Sequence, residues 1–102
     1  MIVHKLNPIG VQVPEMTRSL LTRADFIAWS KESTLRKDWP EAIKRWSLIR
    51  EKYPEHPHGY FSGAEALKEN REFEAADALI LEGLKKFPKE ANLYAEYGKI
   101  AM

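Results

Sequence analysis

Arg50-Glu51-Lys52-Tyr53-Pro54 and Leu84-Lys85-Lys86-Phe87-Pro88 close two stretches of this sequence in the same way, and their prolines stand 34 residues apart. Laid on itself at that offset, the chain pairs Trp39 with Phe73, Ala42 with Ala76, Lys52 with Lys86 and Tyr53 with Phe87. A second step of the same length brings Phe26, Tyr60 and Tyr94 into register, and likewise Ser30, Ala64 and Gly98. Identities are few, but size and polarity recur where packed helices need them, which is how a repeat architecture shows itself. The period divides the chain into a leader (1–22), two full units (23–56 and 57–90) and the first third of another (91–102).

Each unit reads as two helices. Thr22 followed by Asp25 forms a capping-box pattern that opens a helix through Phe26, Ile27, Trp29 and Ser30 to about Leu35. Asp38 caps the next, with Pro40 in the first turn, where a missing N–H is harmless. Trp39, Ala42, Ile43, Trp46, Ile49 and Tyr53 make its helical stripe, and Pro54 and Pro57 bracket its stop. The second unit repeats the design. A helix from about Gly59 to Glu69 points Tyr60, Ala64 and Leu67 inward, Asn70-Arg71 turns the chain, and a longer helix runs from about Glu72 to Phe87. Phe73, Ala76, Ile80 and Leu84 share one face of that longer helix. The leader lacks the period: Asn7-Pro8-Ile9-Gly10 suits a type I turn, which leaves either a small hairpin or an extended tail.

Composition excludes several classes of function. At 102 residues the chain is one small domain, burying roughly two thirds of the surface its unfolded form exposes. Sixteen Lys and Arg against fifteen Asp and Glu give a formal charge of +1, with no basic footprint for nucleic acid or membrane. The absence of cysteine removes disulfides, thiolate zinc sites and cysteine nucleophiles. No stretch has the length of a signal peptide or a transmembrane helix, so a cytoplasmic protein is expected. No nucleophile–base pair, glycine-rich phosphate loop or carboxylate pair is present, and no cofactor or enzymatic activity is expected.

A 34-residue helix–turn–helix unit of this kind resembles the tetratricopeptide repeat. The resemblance rests on Phe26, Tyr60 and Tyr94 as the large fourth residue of each unit, and on Ser30, Ala64 and Gly98 as the small eighth. It rests further on Trp39 and Phe73, Ala42 and Ala76, Trp46 and Ile80, and the closing Pro54 and Pro88. It covers about four fifths of the chain and implies an all-α fold, a right-handed superhelical stack of antiparallel helix pairs with about five helices. Departures fall at Trp29, Gly63 and Tyr97 in place of leucine, at Ser33, Leu67 and Ala101 in place of an aromatic, and at Ile49 and Gly83 in place of alanine. Because glycine within a helix costs about 1 kcal/mol relative to alanine, Gly63 is expected to leave room for the indole of Trp46 or Trp29.

The same resemblance implies a protein-interaction scaffold whose first helices line a concave groove. Its lining would be Ala24, Ile27, Lys31 and Thr34, then His58, Phe61, Ser62, Glu65 and Lys68, then Asn92, Ala95, Glu96 and Lys99. An apolar floor at Ile27 and Phe61 with a mixed-charge rim suits an extended peptide or a partner helix, unless the leader of the same chain covers Phe61. The family's carboxylate clamp of Lys and Asn is replaced by Ile27 and Lys31, Phe61 and Glu65, and Ala95 and Lys99, which argues against a chaperone-tail adaptor. Tyr94, Tyr97, Ile100 and Ala101 have no following helix to cover them, and Tyr97 and Ile100 are candidates for self-association as a homodimer.

Other constellations are weaker. His56-Pro57-His58 could present two imidazoles to a metal, but lacks further ligands and reads as solvated loop histidines. Lys44, Arg45, Arg50 and Lys52 share their helix with Glu41 and Glu51, which reads as a solvated face with helical ion pairs. The three tryptophans read as core. A second possibility rests on Asp38-Trp39-Pro40-Glu41-Ala42, Arg45-Trp46 and the run from Tyr53 to Tyr60, which is similar to repeat segments appended to bacterial glycosyltransferases or sulfotransferases of surface-polysaccharide synthesis. RNA binding by a helical repeat is disfavoured by the neutral charge.

Overall fold

The computed structural model describes residues 21–101, with side chains as far as Tyr97. Five helices occur among them and no strand: α1 (Arg23–Leu35), α2 (Trp39–Lys52), α3 (His58–Glu69), α4 (Phe73–Lys86) and α5 (Ala91–Ala101). Each helix packs on the next in the chain, and α3 also meets α5. The hairpin or tail expected over the leader lies outside the described residues, which take in only its last two: Leu21, which rests on the first core cluster, and Thr22.

The helix ends follow local chemistry. The Asp25 N–H donates to the Thr22 hydroxyl at 3.2 Å and the Thr22 N–H to the Asp25 carboxylate at 2.9 Å, so the capping box closes. Asp38 accepts from the Glu41 N–H at 3.4 Å at the head of α2. Both turns within the units end in the same motif. Lys37 and Arg71 take left-handed backbone at φ 60° and 66°. Beside them Asp38 N–H donates to Ser33 C=O and Glu72 N–H to Leu67 C=O, the double-bonded helix ending in which glycine is commonest. These paired features stand 34 residues apart, so the sequence period is also a period of the backbone.

Two apolar clusters form the interior. Phe26, Ala42, Trp46, Ile49 and Ala66 are buried in the first, with Trp29, Trp39, Ile43 and Tyr53 packed against it. Tyr60, Ala64, Leu79, Ile80 and Leu93 make the second. An aromatic pair recurs in both: Phe26 meets Tyr53 edge-on at 6.1 Å, and Tyr60 meets Phe87 at 5.8 Å. Trp46 is fully buried, whereas Trp29 and Trp39 are half-buried at the margin of the first cluster.

Three expectations about packing are corrected. Tyr94, placed inward by its register with Phe26 and Tyr60, is 53% exposed, and Leu93 takes its place against Ile80. No ring covers Tyr94 among the described residues; its hydroxyl donates instead to Pro88 C=O at 2.7 Å. Phe73 is 50% exposed at the head of α4, with the Arg71 guanidinium 5.9 Å from its ring. The basic face of α2 is only partly solvated: Lys44 and Lys52 are exposed, but Arg45 is buried completely and Arg50 half-buried.

Arg45 has a defined socket. Its guanidinium donates to Trp29 C=O at 2.7 Å, Glu32 at 2.8 Å and Glu41 at 2.8 Å, and lies 4.6 Å from the Trp29 ring. Arg50 donates to Gly59 C=O at 3.1 Å, and burial pushes its guanidinium below its usual pKa, opposed by Glu82 and Tyr60. Arg50 also accounts for Gly63. A Cβ there would sit 2.5 Å from Arg50 Nη1 and 3.2 Å from a Leu79 methyl, with Trp46 Cβ at 3.5 Å. The space is therefore kept for an arginine head, not for an indole. Gly63→Leu should lower Tm by several degrees, because overpacking of about 1–3 kcal/mol outweighs the gain in helix propensity. Thermal unfolding of the variant checks this, and an unchanged or higher Tm would contradict it.

Candidate functional site

Residues of α1, the α2–α3 loop, the first turns of α3 and the start of α5 line an open groove of about 570 Å³. From α1 come Arg23, Ala24, Ile27, Ala28 and Lys31, spaced so that positions 23, 27 and 31 stand one above another. His56 and Pro57 contribute from the α2–α3 loop, His58 and Phe61 from α3, and Glu90 and Asn92 complete the lining. Of the residues expected to line a binding groove, the structure brings together Ala24, Ile27, Lys31, His58, Phe61 and Asn92.

The remaining expected residues lie elsewhere. The Thr34 hydroxyl accepts from the Trp46 indole N–H at 3.0 Å, so it anchors the core. Lys68 forms an ion pair with Glu96 that is nearly enclosed between α3 and α5. Ser62 and Glu65 are half-buried and Ala95 is exposed, all outside the groove. Tyr97 is 41% exposed on α5. The side chains of Lys99 and Ile100 lie outside the described residues.

The wall formed by α3 is aromatic. The His58 imidazole stacks on Trp46 at 5.0 Å with an interplanar angle of 11°, and on its other face meets Phe61 at 4.8 Å and 22°. This three-ring stack runs from the first core cluster to the groove surface, and it corrects the reading of His58 as a solvated loop residue. His56, also half-buried, touches the Arg23 guanidinium and lies 3.6 Å from Glu55. Among the described residues no group of three potential metal ligands converges. Sequence reasoning missed the stack; its available signal was the spacing of His58 and Phe61, which puts both on one helix face.

Burial holds the His58 imidazole below its ordinary 6.5, and Lys31 pushes in the same direction while Glu90 opposes. A folded-state pKa below the unfolded one means that the unfolded chain binds the proton more readily. Stability conferred by the neutral ring is therefore complete above about pH 6.5 and falls as the pH drops below it. Carboxylate effects enter only lower: Glu32 is held below its ordinary 4.5, first by the Arg36 hydrogen bond and then by Arg45. Urea unfolding between about pH 7 and 5 should show declining stability in the native chain and a flatter profile in His58→Phe. Parallel profiles in the two proteins would contradict this.

Compared with protein families, with curated proteins and with solved structures, the chain matches none. No described helix is long and apolar enough to cross a membrane.

Proposed function

We propose that this chain is a tetratricopeptide-like, non-catalytic interaction module of the cytoplasm, and that it binds a peptide or a partner helix in the groove between α1 and α3. The observation that carries the reading is the groove itself: Ile27 and Phe61 offer apolar side chains across a concave space that Lys31, His58 and Asn92 also line. Paired helices whose turns repeat at 34 residues, and principal extents of 49 × 25 × 16 Å, support a stacked arrangement of units. The groove presents apolar side chains between charged ones, the pattern by which extended segments and amphipathic helices are held.

The test is selection of short random peptides on the full chain, with Ile27→Glu as the groove-blocked control. Bound peptides should lose at least about tenfold in affinity on Ile27→Glu, as a buried apolar contact is replaced by a charge. Failure to select any peptide, or selection of peptides that bind both proteins equally, would overturn the reading.

A second reading, self-association through α5, is favoured by the exposed rings of Tyr94 and Tyr97 on one helix. Light scattering over a concentration series tests it: a dimer that Tyr97→Glu dissociates supports it, and a monomer throughout overturns it.

A further inference from the structure

We infer that the groove accepts an extended segment carrying acidic, apolar and acidic side chains on alternate residues, matched to the column Arg23, Ile27 and Lys31 on α1. The inference rests on the peptide-binding reading above and names the partner that reading leaves open.

Charge and spacing together carry it. Successive members of the column are four residues apart, a rise of about 6 Å along a helix. Alternate side chains of an extended chain fall on one face about 6.6 Å apart, so three such side chains stay in step with Arg23, Ile27 and Lys31 over the length of the column. The order reads the same in either chain direction. Ala24 and Ala28 beside the column keep the wall low enough for a backbone to approach, and Ile27 and Phe61 supply the apolar lining. A central apolar side chain would lie against them.

The two cations are available. Among the described residues neither Arg23 nor Lys31 has a carboxylate within ion-pairing distance; Arg23 instead touches the His56 ring. The one carboxylate lining the groove, Glu90, already accepts from the Asn92 side chain at 2.8 Å. The leader of the same chain has the wrong sign for this site: residues 1–20 carry Lys5 and Arg18 against the single acid Glu15. A helix could present the same three groups at four-residue spacing. A helix, however, holds its axis about 5 Å from the surface it packs on, whereas the low wall at Ala24 and Ala28 suits the closer approach of an extended backbone.

The experiment is selection from random peptides on the full chain and, in parallel, on the doubly reversed Arg23→Glu/Lys31→Glu protein; both substitutions are at exposed positions. The native chain should enrich Asp or Glu two residues either side of Leu, Ile, Val or Phe. These peptides should bind the reversed protein roughly three- to tenfold or more weakly, and the reversed protein should enrich Lys or Arg at the flanking positions. Peptides that depend on Ile27 but carry no acids at that spacing would overturn this inference and leave the peptide-binding reading standing. Acids at helical spacing would overturn the extended occupant. Absence of any peptide sensitive to Ile27→Glu would overturn both.

Discussion

Truncating Trp46 to alanine is expected to destabilise the fold by about 3–5 kcal/mol, the range for removing a large buried aromatic. The indole is 1% exposed at the centre of the first cluster, among Phe26, Ala42, Ile49 and Ala66. Its N–H donates to Thr34, so the truncation also leaves that hydroxyl without its donor. For a domain of this size each kcal/mol lowers Tm by roughly 4–8 °C, which puts the variant near or beyond the limit of folding at ambient temperature. Denaturant unfolding measures the loss, with Thr34→Val separating the hydrogen bond, about 1 kcal/mol, from the packing. A loss under about 1 kcal/mol would mean the indole is not enclosed as described. A milder substitution, Trp46→Leu, should retain the fold but remove one face of the His58 stack. The His58 pKa, read by NMR titration, should then rise toward its ordinary value as the ring gains water.

Replacing Arg45 by methionine is expected to cost about 2–3 kcal/mol, below the 3–5 kcal/mol typical of a fully buried pair that loses one partner. The reduction has a structural reason. Glu32 and Glu41 keep partial access to water, at 41% and 20% side-chain exposure, and can be solvated again once the guanidinium is gone. The Trp29 carbonyl and the face of its ring lose their partner outright. Arg45→Lys should rescue little, because a single ammonium cannot reach three acceptors arranged around a planar fork. Chemical denaturation of the three proteins checks the order: native most stable, lysine and methionine variants close together below it. A lysine variant as stable as the native chain would show that charge alone matters at this position. Acid unfolding adds a second readout. Glu32 has a depressed pKa, so its contribution is present above its ordinary 4.5 and lost as the pH falls. Arg45 is one cause of that depression, and Arg45→Met should make stability less sensitive to pH below about 4.5.

These two neighbours on one helix show where the sequence was legible and where it was not. Trp46 stands in an apolar stripe with Ala42 and Ile49, and hydrophobic spacing alone places it inside. Arg45 lies three residues after Ala42 and four before Ile49, on the same side of the helix. Composition reads it as surface because arginine is rarely buried without partners. Its partners, Trp29 and Glu32, come from another helix, and spacing along the chain says nothing about which residues of α1 stand opposite. The groove divides in the same way. Register put Ile27, Lys31, His58, Phe61 and Asn92 on one side of the molecule. The same register put Thr34 and Lys68 there, whereas their hydroxyl and ammonium are occupied by Trp46 and Glu96.

By itself the sequence determined the helices, their caps, the turns between them and the 34-residue period, since each depends on interactions within a few residues of the chain. Capping by Thr22 and Asp38 and the stops near Pro54 and Pro88 are local in this sense. Only the tertiary structure decided that Leu93 rather than Tyr94 enters the core, that Gly63 makes room for Arg50, and that His58 stacks between Trp46 and Phe61. Each of those outcomes turns on the distance between helices. A close-packed interior admits a side chain only where the neighbouring helix leaves a space of its size, and that space belongs to the pair of helices rather than to either sequence.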